Sequence, residues 1–256
     1  MMSVMLLDGL HALTVFYLRV LPVFLILPLF QGNWLTHTMI KSCVVVTLGM
    51  AFIPAIQPAL PGIEHHLVRT ALTEVTLGLL IAFPLGLPFW MANMAGQFMD
   101  NQRGATISSS LDPNSGVDSS TLATWFNYYC CMLFVAGNGL IHLCDLLRES
   151  YSLFPPGEAV DFTLLNVLHF VVLLDLAAVK GIILISPVII TLFLTDVLLA
   201  VLSRFTPQLN PFMLSLTIKS LIAFGVLLLY FNPVFSTALQ QAIDGRQPLS
   251  WFIGQS

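Results

Sequence analysis

This sequence predicts an all-α protein of hydrophobic, kinked helical hairpins, and three observations predict it. Hydrophobic residues make up 57% of the 256-residue chain and charged residues only 9%, whereas a soluble globular domain carries about 25% charged residues. The apolar residues also gather in long windows, and a helix needs about 20 mostly apolar residues to cross the hydrocarbon of a bilayer. Finally, the windows are separated by short breaks rich in proline or polar residues, which end or bend helices. One helical unit over residues 1–256, integral to a membrane or assembled within one, is the simplest organisation.

The elements follow in order. Residues 11–30, HALTVFYLRVLPVFLILPLF, form the first window and 39–60, MIKSCVVVTLGMAFIPAIQPAL, the second. The prolines of IPAIQPALPG must end that second helix. The third window is 71–99, the fourth 121–147 and the last 212–231. Between the fourth and the last lies 162–203, long enough for two helices or one bent pair. FPPGEAVD and RFTPQLNPF are the loops on either side of it. Asp118, Ser119 and Ser120 precede the fourth window, and any of them can cap its N-terminus. The opening MMSVMLLDGL has no basic start and no small-residue cleavage pattern, so the first apolar stretch reads as a retained helix.

Charge narrows the function classes. The net charge is -4 and no run of Lys or Arg forms a patch for nucleic acid. The basic residues are scattered, so loop charge gives no orientation across a membrane. Cys43, Cys130, Cys131 and Cys144 lack metal-type spacing and read as small apolar packing residues. His65 and His66 beside Glu64 read as a solvated loop. His142 and Cys144, two apart, point to different helix faces. The hydrolase, P-loop and dinucleotide motifs are absent from the sequence. The expectation is a protein without catalytic residues, cofactor or metal.

Nearly every apolar window nevertheless holds a charge: Arg19, Lys41, Glu74, Asp145, Asp175, Lys180, Asp196 and Lys219. Each would cost roughly 2.5–3.5 kcal/mol at the centre of a bilayer. Such groups must pair, line water or pack against protein. Pro22, Pro28, Pro84, Pro88 and Pro187 bend helices and free carbonyls that neighbouring helices must satisfy. An ion-coupled secondary transporter or channel is one way to use such charges, with Glu74, Asp175, Lys180 and Asp196 as its candidates. Structural pairing is the plainer alternative.

The stretch GQFMDNQRGATISSSLDPNSG, residues 96–116, is the most polar interruption. Asn93, Gln97, Asn101 and Gly104 recur at helical spacing, with Asp100 beside them, making a polar ridge on an apolar rod. Asp100 and Arg103 are three apart and can pair along the helix. The plainer alternative is a helix that simply emerges into water. After the ridge come small, polar residues and the turn signal Asp112-Pro113-Asn114-Ser115-Gly116. Such a loop can plug a pore mouth or merely connect two helices.

This stretch resembles the signature of the FliR/SpaR/YscT family of type III secretion export-apparatus proteins. LSRFTPQLNPFMLSLTIKSL resembles the family's second shared stretch, with Arg204, Pro207, Gln208 and Asn210 in the turn and Lys219 in the helix that follows. Glu74, in TEVTLGLLIAFPLG, stands where the family carries an acid before a small-residue helix. The resemblance covers nearly the whole chain, and DNQRGAT is closer to the virulence-injectisome branch than to the flagellar one.

The resemblance implies a non-enzymatic subunit, present as one copy. It would join FliP-type and FliQ-type subunits in a conical helical export-gate complex at the bacterial inner membrane, partly raised to periplasmic level. A FlhB-type switch protein would contact the base, and unfolded secreted proteins would pass through. The loop from about Gly104 to Ser120 would contribute to closing the channel. Asn93, Gln97, Asp100, Asn101, Arg103 and Gly104 would then line the passage or anchor the loop. Ile107, Ser108, Ser109, Ser110 and Leu111 would form its sealing part. Arg19, Glu74, Asp175, Lys180, Asp196, Arg204 and Lys219 would lie at buried or intersubunit contacts.

Overall fold

The computed structural model describes residues 2–31, 38–58, 67–104, 120–157, 167–205 and 211–244, all helices and short turns among them. The helices are α1 (Met2–Ile26), α2 (Pro28–Gln31), α3 (Thr38–Ile56), α4 (Leu67–Arg103), α5 (Thr121–Ala136), α6 (Gly139–Leu153), α7 (Val167–Phe205), α8 (Pro211–Tyr230) and α9 (Thr237–Asp244). A π-helical turn, Phe231–Ser236, joins α8 to α9. By length and composition Gly9–Ile26, Leu67–Arg103 and Leu168–Phe205 can each cross a membrane. Counting each bent pair as one span raises the number to five.

The chain forms two compact units. One draws its described residues from Met1–Leu87 and Asn138–Leu173, the other from Pro88–Gly137 and Leu174–Gly245.

In the first unit, α1 packs along α3. Phe16 stacks on Phe52 with centroids 5.3 Å apart, and Tyr151 of α6 lies 6.4 Å from Phe16. Two glycines set the closeness of the helices. A Cβ on Gly49 would meet the side chains of Leu13 and Phe16, and one on Gly78 of α4 would run into the Arg19 carbonyl. Where apolar surroundings provide little drive for association, backbone approach through small residues lets dispersion hold helices together.

In the second unit, the π-helical turn presents Phe231 and Phe235 to α5. Phe235 lies 4.5 Å from Phe126, and Phe231 lies 4.7 Å from Tyr129 and 5.1 Å from Trp125. Asn232-Pro233 is the cause in the sequence, since proline lacks the N–H that would continue the α-helical ladder.

Of the long window 162–203, residues 167–203 lie in one helix, the 39-residue α7, with Pro187 inside it. Pro187 cannot donate to the Ile183 carbonyl, and the Ser186 hydroxyl does so instead at 2.8 Å. The Thr191 hydroxyl likewise donates to the Pro187 carbonyl at 2.7 Å. Proline followed and preceded by such hydroxyls therefore leaves the helix unbroken. The 121–147 window behaves in the opposite way. It ends one helix at Gly137 and starts another at Gly139, because Asn138 takes a left-handed φ of 61°. Asn is one of the few residues that visit this region readily.

Candidate functional site at the root of the central loop

Gly96 determines this site. A Cβ there would strike the backbone of Leu122 and Ala123, so α4 touches the first turn of α5 directly. Asp100, one turn further along α4, lies on the same face and therefore meets the free N–H groups that begin α5. Its carboxylate is 1% exposed. Oδ2 accepts from the Leu122 N–H at 2.9 Å and from the Ser120 hydroxyl at 2.5 Å, while Oδ1 accepts from Arg103 Nε at 2.7 Å. Arg103 Nη2 is 2.6 Å from the same Oδ1. Of the three sequence candidates for capping α5, Ser120 does so, accepting from the Ala123 N–H at 3.1 Å.

The polar ridge thus divides. Gln97 and Asn101 are exposed and Asn93 half-buried, whereas Asp100 turns inward to α5. The Gln97 amide donates to Asn93 Oδ1 at 2.5 Å. Gly104 closes the last turn of α4 with φ 81°, its N–H donating to the Asn101 carbonyl at 3.1 Å. Ile107, Ser108, Ser109, Ser110 and Leu111 lie outside the described residues, as do Pro207, Gln208, Asn210, His65 and His66.

The second motif meets the first here. Lys219 of α8 pairs with Asp196 of α7 at 2.5 Å and reaches the Gln102 carbonyl at 3.5 Å. That carbonyl belongs to the C-terminal turn of α4, where a cation opposes the helix dipole. Arg103 also lies 5.2 Å from the Phe224 ring centroid. Two motifs about a hundred residues apart in sequence therefore meet at the end of α4.

Arg19 and Glu74 form a separate cluster in the first unit. Both are essentially fully buried, at 0% and 1% exposure. Arg19 Nε donates to Glu74 Oε2 at 2.6 Å and Nη2 to Oε1 at 3.0 Å. Nη1 donates to the Ser150 hydroxyl at 2.7 Å and Nη2 to the Phe154 carbonyl at 3.0 Å. The guanidinium also stacks 3.8 Å above the Tyr151 ring. Ser150, Tyr151 and Phe154 carried no signal in the sequence, because nothing local links them to a residue on α1. Asp175, Lys180 and Arg204 stand apart from these clusters as exposed residues on α7.

This arrangement holds and ties helices. The comparison with known families decides what kind of protein does that. Residues 10–245 match the model of bacterial export proteins, family 1. The chain belongs to this family. Like other members of bacterial export protein family 1, it is part of an export apparatus and is not an enzyme. Surface presentation of antigens protein SpaR of Shigella flexneri is 37% identical over 225 residues, covering 88% of this chain and 86% of the relative. Yop proteins translocation protein T of Yersinia pestis is 34% identical over 247 residues, covering 92% and 91%. Flagellar biosynthetic protein FliR of Buchnera aphidicola subsp. Acyrthosiphon pisum is 24% identical over 233 residues, covering 89% and 87%. The resemblance to the FliR/SpaR/YscT family therefore holds across most of the chain.

Proposed function

We propose that this chain is the single-copy subunit of a type III secretion export gate, through which unfolded proteins cross the bacterial inner membrane. Its partners on this reading are FliP-type and FliQ-type gate subunits and a FlhB-type switch protein, in a conical assembly partly at periplasmic level. The higher identity to SpaR and to Yop proteins translocation protein T than to flagellar FliR supports the injectisome branch.

The observation that carries the proposal is α7. At 1.5 Å per residue its 39 residues span about 58 Å. The hydrocarbon of a bilayer is about 30 Å thick, and a helix tilted by as much as about 40° uses roughly 39 Å of its length to cross it. About a third of α7 is then left outside the hydrocarbon. Large apolar side chains are nonetheless exposed along its whole length, from Leu168 through Ile182 and Leu194 to Phe205. Exposed Asp175 and Lys180 sit among them. An apolar surface of that length with embedded charge suits protein neighbours that cover it and pair the charges.

The loop from Gly104 to Ser120 contributes to closing the channel on this reading. Its ends rise from the polar root, with Asn93, Gln97 and Asn101 on the adjoining face. Ile107 to Leu111 would seal, and the three serines would offer a passing chain a wet surface that binds neither apolar nor polar groups strongly.

Purification tests the assembly. The tagged chain should be unstable alone and should co-purify with two other small hydrophobic proteins. A chain that is stable alone and moves a solute after reconstitution would instead make it an ion-coupled transporter. Deleting Ser108–Ser110 tests closure: the assembled complex should leak ions across the inner membrane, and an unchanged leak removes the plug role.

A further inference from the structure

The segment 105–119 leaves from the last turn of α4 and returns at Ser120. What holds those two ends together is visible among the described residues. A bland account makes Asp100 a second cap for α5. That account falls short, because Ser120 already caps α5 locally by accepting from the Ala123 N–H. Asp100 does something a local cap cannot. It reaches across 20 residues to take the Ser120 hydroxyl and across 22 to take the Leu122 N–H. On its own helix it holds Arg103, the last residue of α4.

The electrostatics favour the same tie. An anion sits at the positive N-terminal end of α5, while Arg103 and Lys219 place cations at the negative C-terminal end of α4. Hydrogen bonds to a charged acceptor are about twice as strong as neutral ones, and the low exposure of Asp100 shields them from competing water. Gly96 makes the reach possible, since any side chain there would hold α5 away from α4.

We propose that Asp100 is the positioning residue of the loop root, fixing the first turn of α5 to the last turn of α4 so that the segment between them begins and ends on one tied base. The tie stands on the contacts alone. Its consequence for leak rests on the closure reading above.

The test uses the assembled export complex and trypsin. Arg103 is the sole Lys or Arg between Arg69 and Arg148, so cleavage after it gives a distinctive fragment. Asp100→Ala should raise the rate of cleavage after Arg103 at least tenfold while cleavage after Arg148 stays unchanged. Asp100→Asn keeps one acceptor for the Leu122 N–H and should fall between wild type and Asp100→Ala. Equal cleavage in wild type and Asp100→Ala complexes overturns the inference. Should Asp100→Ala prevent assembly, Ser120→Ala removes one of the ties and should raise cleavage two- to fivefold; no rise there overturns it equally. Leak separates the two ideas. If the tie acts through the loop, Asp100→Ala adds no leak to a complex already lacking Ser108–Ser110. If that deletion does not leak but Asp100→Ala still exposes Arg103, the tie stands and the closure reading fails. If the deletion leaks and cleavage after Arg103 is unmoved, the tie fails and closure stands.

Discussion

Removing the Glu74 carboxylate should be among the most damaging single changes in the first unit. In Glu74→Ala, Arg19 loses two charge-assisted bonds, from Nε at 2.6 Å and Nη2 at 3.0 Å. Its remaining partners, the Ser150 hydroxyl, the Phe154 carbonyl and the face of the Tyr151 ring, carry no charge. The guanidinium cannot turn to water, because Arg19 is 0% exposed. It cannot shed its proton either, since an arginine stays charged in proteins. An uncompensated buried charge of this kind costs about 3–5 kcal/mol, a large part of the roughly 5–15 kcal/mol that holds a domain folded. The expected result is a complex whose yield and thermal midpoint fall sharply. The second arm is a double substitution, Arg19→Met with Glu74→Leu. Replacing a buried pair by apolar residues of similar size is often neutral or stabilising, so most of the loss should return. The assay is the thermal midpoint of the purified complex for wild type, both single variants and the double. A Glu74→Ala complex that melts with wild type refutes the argument, as does a double variant no better than the single. A third outcome, Glu74→Gln complexes that assemble and melt normally yet do not secrete, would move Glu74 into an ion pathway.

The remaining predictions concern contacts of different strength. Gly78→Leu pushes a side chain at the Arg19 carbonyl, so α1 and α4 must separate; a loss of at least about 1–3 kcal/mol is expected from overpacking, read as a lower thermal midpoint. Ser186→Ala leaves the Ile183 carbonyl beside Pro187 without its hydroxyl donor, and should cost about 1 kcal/mol in denaturant or thermal unfolding of the complex. Lys219→Met breaks a pair in which Asp196 is 36% exposed, so its effect on the thermal midpoint should be well below that of Glu74→Ala. Equal losses in the last comparison would mean that exposure in the single chain misjudges how buried that pair becomes on assembly.

Much of the fold was legible because apolar windows and their breaks are local signals. The helical class, the order of the windows and the end of the second helix at its prolines all rest on residue type and spacing. α7 was ambiguous for a reason that is also local but finer: Pro187 reads as a break until Ser186 is seen to serve the carbonyl that the proline leaves free. Asn138 erred in the other direction, since an Asn–Gly pair inside an apolar window can pass as helix or take φ 61° and end one. The site was half legible. The Asp100–Arg103 pair follows from a spacing of three, but the inward turn of Asp100 depends on Gly96 touching α5, a contact between helices. Arg19 was visible only as a charge in an apolar window, and Glu74 as such a charge and as the acid of the family resemblance. Their pairing, and the parts played by Ser150, Tyr151 and Phe154, link positions as far as 135 residues apart and leave no periodic trace.

The distribution of satisfied and exposed charges carries the assembly argument one step further. Arg19 with Glu74, Asp100 with Arg103, and Asp196 with Lys219 are paired within the chain. Asp175 and Lys180 are exposed, and both fall in the first part of α7. From residue 181 to 203 the only ionisable charge is Asp196, already paired with Lys219. At 1.5 Å per residue that stretch is about 34 Å long, close to the roughly 30 Å of bilayer hydrocarbon. Its hydroxyls at Ser186, Thr191, Thr195 and Ser203 bond back to the helix itself and so need nothing from outside. α7 can therefore meet lipid over its later part without exposing an unpaired charge, whereas its earlier part cannot. On the proposed reading, the earlier part is where partner subunits must lie, and Asp175 and Lys180 are the charges they must answer.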